Sequence, residues 1–451
     1  MTLKKSAHDG HPYISNALRE QQLDADTGID QHRPLVSFVV PVFNHVTETQ
    51  EMLTSLQASL PSDLDYEIIL ADDASTDDTV SWLKTLDDSQ IQVRLNTINV
   101  GYAANNNAAI KATKGIVLAL LNNDLIFQSG WLEPMLSVLF SPKLNAGIVG
   151  NVQQRVSDGS LDHAGVVLTP RAQLHHIRTE PDMQLSHANV FAVTGACMVL
   201  RKSDFEKVGG FDEQYINGCE DIDLCFKIRQ AGKAIYVATQ SRIRHHVSLS
   251  RKENSLQDLR NSRHLFQRWR KEIKRELIDL WRTLLLDPIR SSRYLTGELS
   301  QGLLSSPHAA ANVIAETMLK REEHEWAHRL DTPSQQIGDQ PKLTWRGLQF
   351  SAEFHGHVLT TEAQFTVHGI DYACDFYVCG EKINGHTETA ELEISVNDIQ
   401  RLKIPLTSGQ SVNAGIIDPL LLATIPNTFR VKSSVPLVLT HVVIGGRRFD
   451  L

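Results

Sequence analysis

The chain is poor in cysteine, in aromatic residues and in long apolar runs, and each shortage excludes something. Five cysteines among 451 residues are too few, and odd in number, for a disulfide framework. Cys197, Cys219 and Cys225 fall in compact segments and read as buried thiols, while Cys374 and Cys379 have no second pair to complete a zinc site. A reducing, cytoplasmic setting follows as the expectation. No apolar run reaches the roughly 20 residues that span a bilayer. Residues 1–33 are polar, lack the apolar stretch of a secretory signal, and read as a flexible leader. A basic surplus is missing as well. The formal net charge of −9 gives no reason to expect nucleic-acid binding, which needs a clustered basic face. What remains is the composition of a globular protein, 41% hydrophobic and 22% charged, in a chain too long for one ordinary core.

From Leu35 to about Ala238 short apolar runs alternate with helical patterns. Leu35–Val42 is an apolar run interrupted only by Ser37 and ended by Pro41 and Asn44, as expected of a strand buried on both faces. Met52, Leu53, Leu56 and Leu60 then mark one side of a helix. Strands are predicted at Glu67–Ala71, Gln92–Asn96 and Ile116–Leu121, with helices starting at Ser75–Thr79 and running from Ala103 to Ala112. This rhythm predicts an α/β domain over residues 34–255 with a doubly wound, mostly parallel sheet. Ligands bind such sheets beyond the carboxyl ends of the strands, so the polar residues there are the ones to examine.

Four polar clusters stand out. Asp72 and Asp73 close the second strand, where two carboxylates can receive a base edge and ribose hydroxyls. Turn and cap chemistry explains Ser75 to Asp78 after them without requiring the pair itself. Asn122, Asn123 and Asp124 close the fourth strand. One carboxylate beside amide oxygens suits a hard divalent cation that takes its other ligands from phosphate, although Asn and Asp are also common at such turns. Glu220, Asp221 and Asp223 open a helix, where acids favour the helix dipole whether or not they do chemistry. His245 and His246 follow a predicted strand, Ala234–Ala238, and offer nitrogen to a cation or a diphosphate.

In this order the clusters resemble glycosyltransferase family 2, the inverting enzymes of GT-A fold, including rhamnosyltransferase-like and galactosyltransferase-like members. The resemblance rests on Val36-Ser-Phe-Val-Val-Pro-Val-Phe-Asn44, Ala71-Asp-Asp-Ala-Ser-Thr-Asp77, Asn99-Val-Gly-Tyr-Ala-Ala-Asn105 and Leu121-Asn-Asn-Asp124. Asp162-His-Ala-Gly-Val-Val167, Thr194-Gly-Ala-Cys-Met-Val-Leu-Arg201, Gly209-Gly-Phe-Asp212, Glu220-Asp-Ile-Asp223 and His245-His-Val-Ser-Leu-Ser-Arg251 continue it. It implies transfer of a sugar from a nucleoside-diphosphate donor, UDP- or dTDP-linked, to an acceptor hydroxyl. The acceptor would be a glycan or lipid-linked glycan of a bacterial surface polysaccharide or lipopolysaccharide. The resemblance further implies that Pro41, Asn44, Asp72, Asp73, Asn99, Gly101, Asn105 and Asn123 shape the donor pocket. Asp124, with His245 or His246, would hold Mg²⁺ or Mn²⁺, and Asp221 would be the general base with Glu220 as its neighbour. The family's metal motif more often begins with Asp where Asn122 stands here. A rival of another class is a non-catalytic protein that binds nucleotide-sugar or glycan. A nucleotidyltransferase would carry a glycine-rich, basic phosphate loop near its first strand, and Pro41 to Asn44 is not one.

Residues 256–332 read as helical. Phe266, Trp269, Ile273, Leu277, Leu280 and Leu284 form an apolar stripe flanked by Arg260, Arg263, Arg268, Arg270, Lys271, Lys274 and Arg275. The stripe suits packing; the basic flanks also suit peripheral contact with the inner face of the cell membrane. A polar stretch, Asp331–Pro341, reads as a linker. Residues 342–451 show strand-type alternation at Leu348–Phe354, Cys374–Val378, Ala390–Val396 and Val435–Ile444, as in a small, all-β, sandwich-like domain. That domain suits glycan binding, acceptor orientation or homo-oligomer formation, with Trp345, Phe350 and Phe354 as candidate sugar-stacking residues.

Overall fold

The computed structural model describes residues 35–247, 256–286 and 307–331. In the C-terminal part it describes 342–352, 356–368, 375–382, 390–396, 399–406, 411–417, 428–444 and 447–451. The expected leader, Ser248 to Arg251, the linker beyond Asp331, Phe354 and Cys374 lie outside the described residues. The chain divides into two compact units. The first runs to Leu265 without Pro170–Gln173, and the second comprises Pro170–Gln173 and Phe266–Leu451.

The first unit opens with β1 (Val36–Val42), α1 (Val46–Ser59), β2 (Tyr66–Asp72), α2 (Thr79–Leu83), β3 (Ile91–Leu95), α3 (Tyr102–Ile110) and β4 (Val117–Leu121). It continues with β5 (Leu125–Ile126), α4 (Leu132–Leu139), β6 (Ala146–Arg155), β7 (Leu161–His163), β8 (Val166–Leu168), β9 (Leu174–His176) and β10 (His187–Asn189). Last come β11 (Cys197–Arg201), α5 (Lys202–Lys207), α6 (Glu220–Gln230) and β12 (Ala234–His245). The central sheet has the order β10-β12-β6-β11-β4-β1-β2-β3. Strands β3, β2, β1 and β4 are mutually parallel, and β12 runs parallel to β6. Strand β11 enters antiparallel between β4 and β6, which makes the sheet mixed.

Strands β1, β2 and β4 are covered on both faces, so their buried stretches are largely apolar, whereas β3 at the sheet edge carries Gln92 and Arg94. Phe38, Val40 and Val42 face Met52 and Leu56 of α1 and Met135 and Leu139 of α4. Val39, Ile69, Leu118 and Leu120 face the other way, toward Ala109 and Ile110 of α3 and Leu224 and Ile228 of α6. From β1 the chain winds out to β2 and β3, then returns to β4 on the other side of β1. Such a reversal leaves a crevice at the carboxyl ends of the two flanking strands. That crevice holds the site described below.

The predicted strands agree with β1, β2, β3 and β4 to within a residue at each end. The helix start expected within Ser75–Thr79 falls at the last residue of that range, Thr79, because the backbone N–H groups of Ser75 and Thr76 donate to Asp72 Oδ2 and Asn44 Oδ1 instead.

Helix α7 (Leu256–Leu286), which belongs to the second unit from Phe266 onward, kinks at Trp269 (φ −105°, ψ 18°). Beyond the kink Ile273, Leu277, Trp281 and Leu284 are buried, and Phe266 stacks edge-on against Trp326 of α8 (Pro307–Asp331). The apolar stripe is therefore used in packing. Arg260, Arg268, Lys271 and Arg275 remain exposed.

The C-terminal strands are β13 (Lys342–Ser351), β14 (Gly356–His368), β15 (Asp375–Lys382), β16 (Ala390–Val396), β17 (Ile399–Leu406), β18 (Ser411–Ile417), β19 (Thr428–Ser433), β20 (Leu437–Ile444) and β21 (Arg447–Asp450). All pair antiparallel, as expected, and one hydrogen-bonded sheet joins them. The long β14 makes this continuity: it pairs β20 through His357–Leu359 and β19 through Glu362–Thr366. Trp345 and Phe350 are not core residues. They are 37% and 68% exposed, and both rings meet His357 edge-on. Five residues apart, they would lie on opposite faces of a regular strand. A bulge between Arg346 and Leu348 brings them to the same face, with Gly347 at φ 82° where a Cβ would strike Glu362 O.

Candidate active site

The crevice is a cavity of about 570 Å³. Its walls come from the end of β1 (Pro41, Val42, Phe43), from Asp73 after β2, and from Asn122, Asn123 and Asp124 after β4. Tyr102 and Asn105 of α3, the Thr194–Ala196 turn before β11, and the Ile216–Asp221 approach to α6 complete them. Of the predicted residues, Pro41, Asp73, Asn99, Asn105, Asn123, Asp124, Glu220 and Asp221 therefore face one space.

The others stand behind this wall. Asn44 is a clip, its side-chain oxygen accepting the Thr76 N–H at 2.7 Å and its carbonyl the Asn123 amide at 3.3 Å. Asp72 is 1% exposed; Oδ2 accepts the Ser75 N–H at 3.1 Å, and Oδ1 has no hydrogen-bond partner among the described residues. Asp73 is better satisfied. Its Oδ1 accepts from the Asn96 amide and the Val100 N–H, both at 2.9 Å, and its Oδ2 from the Gly101 N–H at 2.8 Å. One carboxylate thus holds the approach to α3 up to its N-cap, Gly101, through hydrogen bonds that charge assists. Asn105 is anchored by its amide on Ala71 O at 2.7 Å.

At the end of β4 the two histidines part. His245 Nε2 lies 3.2 Å from Asp124 Oδ1, whereas His246 turns its ring to Glu51 of α1 at 3.3 Å and reaches Asp124 only through its backbone N–H. Asp124 and His245 form an oxygen–nitrogen pair. Among the described residues no third His, Cys, Asp or Glu joins them in a metal-binding group. Such a pair fits a cation that draws its remaining ligands from phosphate and water, since Mg²⁺ commonly binds through one or two carboxylates plus substrate phosphates. His163, fully buried nearby, has its pKa well below the usual range because burial opposes the charge, as do His176 and His245.

The acidic helix start divides in the same way. Asp223 is fully buried and paired with Lys227 at 3.1 Å, a structural role. Glu220, 7% exposed, accepts the Gly218 N–H at 2.6 Å. Asp221 is less buried; its Oδ2 accepts the Gly195 N–H at 2.7 Å and its Oδ1 the Ile222 N–H at 2.8 Å. Each Asp221 oxygen accepts one of these bonds and has a second lone pair, and both Glu220 and Asp221 line the cavity.

Residues 37–209 match glycosyl transferase family 2, and residues 172–251 match the N-terminal domain of galactosyltransferase. The chain carries a glycosyl transferase family 2 domain. The chain is 30% identical over 237 residues to the O-antigen biosynthesis protein RfbC of Myxococcus xanthus, a match covering 49% of this chain and 18% of the relative. The pre-mycofactocin glycosyltransferase of Mycobacterium tuberculosis is 28% identical over 208 residues, covering 44% of this chain and 39% of that one. The chain thus spans well under half the length of both relatives. Among solved structures, GalNAc-T7 with UDP, GalNAc and Mn²⁺ aligns over 79% of this chain and 71% of its own at 15% identity and a TM-score of 0.47.

Along the cavity, sequence reading passed over Tyr102 and Asn217. Asn217 (φ 52°) presents Oδ1 to the Tyr102 N–H at 3.1 Å, and the Tyr102 hydroxyl donates to Gly195 O at 3.0 Å. The Asn217-Gly218 dipeptide is a turn signal that could have drawn attention to the first. Nothing local marks the second.

Proposed function

We propose that the chain is an inverting glycosyltransferase that moves a sugar from a nucleoside-diphosphate donor to an acceptor hydroxyl. The observation that carries this reading is the convergence of Asp73, Asp124 and Asp221 on one cavity at the carboxyl ends of the parallel strands, the first two inside the family 2 match and the third inside the galactosyltransferase match. Asp73, Asn99 and Asn105 would receive the nucleoside on one side, and Asp221 the acceptor hydroxyl on the other. Direct inversion needs one base. As the acceptor oxygen bonds to the anomeric carbon, its proton passes to a carboxylate oxygen of Asp221 and the bond from that carbon to the diphosphate oxygen breaks. Asp221 suits this task because the Gly195 N–H fixes its carboxylate before substrate arrives, and a base held in place reacts faster than one that must be oriented. Asp124 and His245 would hold Mg²⁺ or Mn²⁺. When bound, such an ion supplies charge neutralisation for the leaving diphosphate. The name of the RfbC relative favours a surface-polysaccharide acceptor, glycan or lipid-linked.

The test is release of nucleoside diphosphate from a panel of UDP- and dTDP-sugars with Mn²⁺ or Mg²⁺, with and without polysaccharide acceptors. At least one donor should be turned over, and Asp124→Ala should weaken its binding at least tenfold, roughly 1.4 kcal/mol. Donor binding with no release from any donor would instead support a nucleotide-sugar-binding protein without turnover.

A further inference from the structure

Tyr102 opens α3 and lines the cavity, yet the mechanism above gives it no task. Its hydroxyl donates to the carbonyl of Gly195 at 3.0 Å, and the N–H of the same glycine donates to Asp221 Oδ2 at 2.7 Å. Gly195 is a close-approach glycine. A Cβ there would lie 3.0 Å from the Tyr102 oxygen and 3.2 Å from Asp221 Cβ, so the three residues are packed without slack. The tyrosine is itself held at both ends. Its ring meets Phe211 edge-on at 5.8 Å, and its backbone N–H donates to Asn217 Oδ1. The residue before it, Gly101, donates its N–H to Asp73. Burial, reinforced by Glu220 and Asp221, pushes the phenol well above its usual range, so the hydroxyl stays protonated and remains a donor.

We propose that Tyr102 is a positioning residue for the proton acceptor of the transfer reaction: its hydroxyl clamps Gly195, and Gly195 aims the carboxylate of Asp221. The inference rests on the reading of Asp221 as the base. It ties the two sides of the cavity together, because Asp73 grips the N–H of Gly101 and the adjacent residue in the same helical turn reaches across to Gly195. Donor-side and base-side carboxylates are joined through the first turn of α3.

Steady-state kinetics of Tyr102→Phe, Gly195→Ala and the double variant test it, with thermal unfolding of each. Tyr102→Phe keeps the ring and should lower kcat about tenfold with donor KM changed by less than about twofold, since misplacement of a reacting group acts on the chemical step. Gly195→Ala should lower kcat by about a hundredfold, yet by much less in the Tyr102→Phe background, where the hydroxyl it collides with is gone; coupled neighbours are non-additive. An unchanged kcat in Tyr102→Phe overturns the proposal. So do effects that multiply independently, or a kcat loss that merely follows the loss of melting temperature. Asp221→Asn run in parallel separates the two claims. If it retains turnover, the base reading fails; if it is inactive while Tyr102→Phe is unaffected, only the role of Tyr102 fails.

Discussion

Glu220 and Asp221 are adjacent, both acidic and both on the cavity, but they differ in what they can reach. Glu220 is deeply buried and accepts the N–H of Gly218 two residues before it, which closes the turn into α6. Asp221 accepts an N–H from the turn before β11, 26 residues away, so its carboxylate is aimed by tertiary structure. Asp221→Asn preserves shape and removes basicity. Donor binding should stay within about twofold while kcat falls by about 10²–10⁴, the usual contribution of a positioned base. Glu220→Gln, measured beside it, should lower kcat less than about tenfold; the opposite ranking would move the base to Glu220. At this scale the sequence exposed the acids through their order along one α/β domain, since turn and helix-dipole chemistry accounts for each cluster taken singly. It could not expose Tyr102, whose partners lie 115 and 93 positions away and include a backbone carbonyl that any residue could supply.

Helix α3 shows how an element is placed by a single side chain. It has no side-chain cap of its own, and its first N–H groups would be left open at the cavity. Asp73, just after β2, holds the approach to the helix by accepting from Val100, Gly101 and the Asn96 amide, while Asn217 accepts the N–H of Tyr102. Asp73→Ala should therefore do two things at once. It strands several partly buried donors, which should lower stability by about 1.5–3 kcal/mol in chemical denaturation. It should also loosen α3 and so weaken the donor. A stability loss below about 0.5 kcal/mol would show that water replaces the carboxylate and that α3 is held by packing alone. The strands before it were readable because two-sided burial demands unbroken apolar runs such as Phe38–Val40 and Leu118–Leu121. The direction of β11 was not readable. An apolar run looks the same whether it is paired parallel or antiparallel, and its place between β4 and β6 is set by a long excursion through β7 to β10. The late start of α2 has a different cause: Asp72 and Asn44, residues that favour local capping, took the N–H groups of Ser75 and Thr76 from outside the segment.

On the scale of the whole molecule, charge is distributed to different ends in the two units. The first collects carboxylates around its cavity; the second uses them to join helices. Glu316 of α8 accepts from Arg270 at 2.9 Å and pairs with Lys274 at 3.0 Å, while Arg270 also binds Glu323. Hydrogen bonds from Arg270 and then Lys274 hold the Glu316 carboxyl down at about 2, against an ordinary value of 4.5. A carboxyl whose pKa is depressed by folding adds stability above its unfolded pKa and loses it as the pH falls through the folded one. The contribution of Glu316 should thus be complete at neutral pH, begin to fade below about 4.5 and vanish near 2. The group is only partly buried, so solvent screening keeps the effect to about 1 kcal/mol or less. Glu316→Gln removes the charge and keeps the shape. Comparing the unfolding midpoint of the two proteins from pH 7 down to pH 2 should show the variant less stable at neutral pH, with the curves converging in acid. A gap that persists unchanged to the lowest pH would mean that Glu316 contributes packing alone, and that the stripe Ile273, Leu277 and Trp281, rather than the ion pairs, holds α7 in its unit.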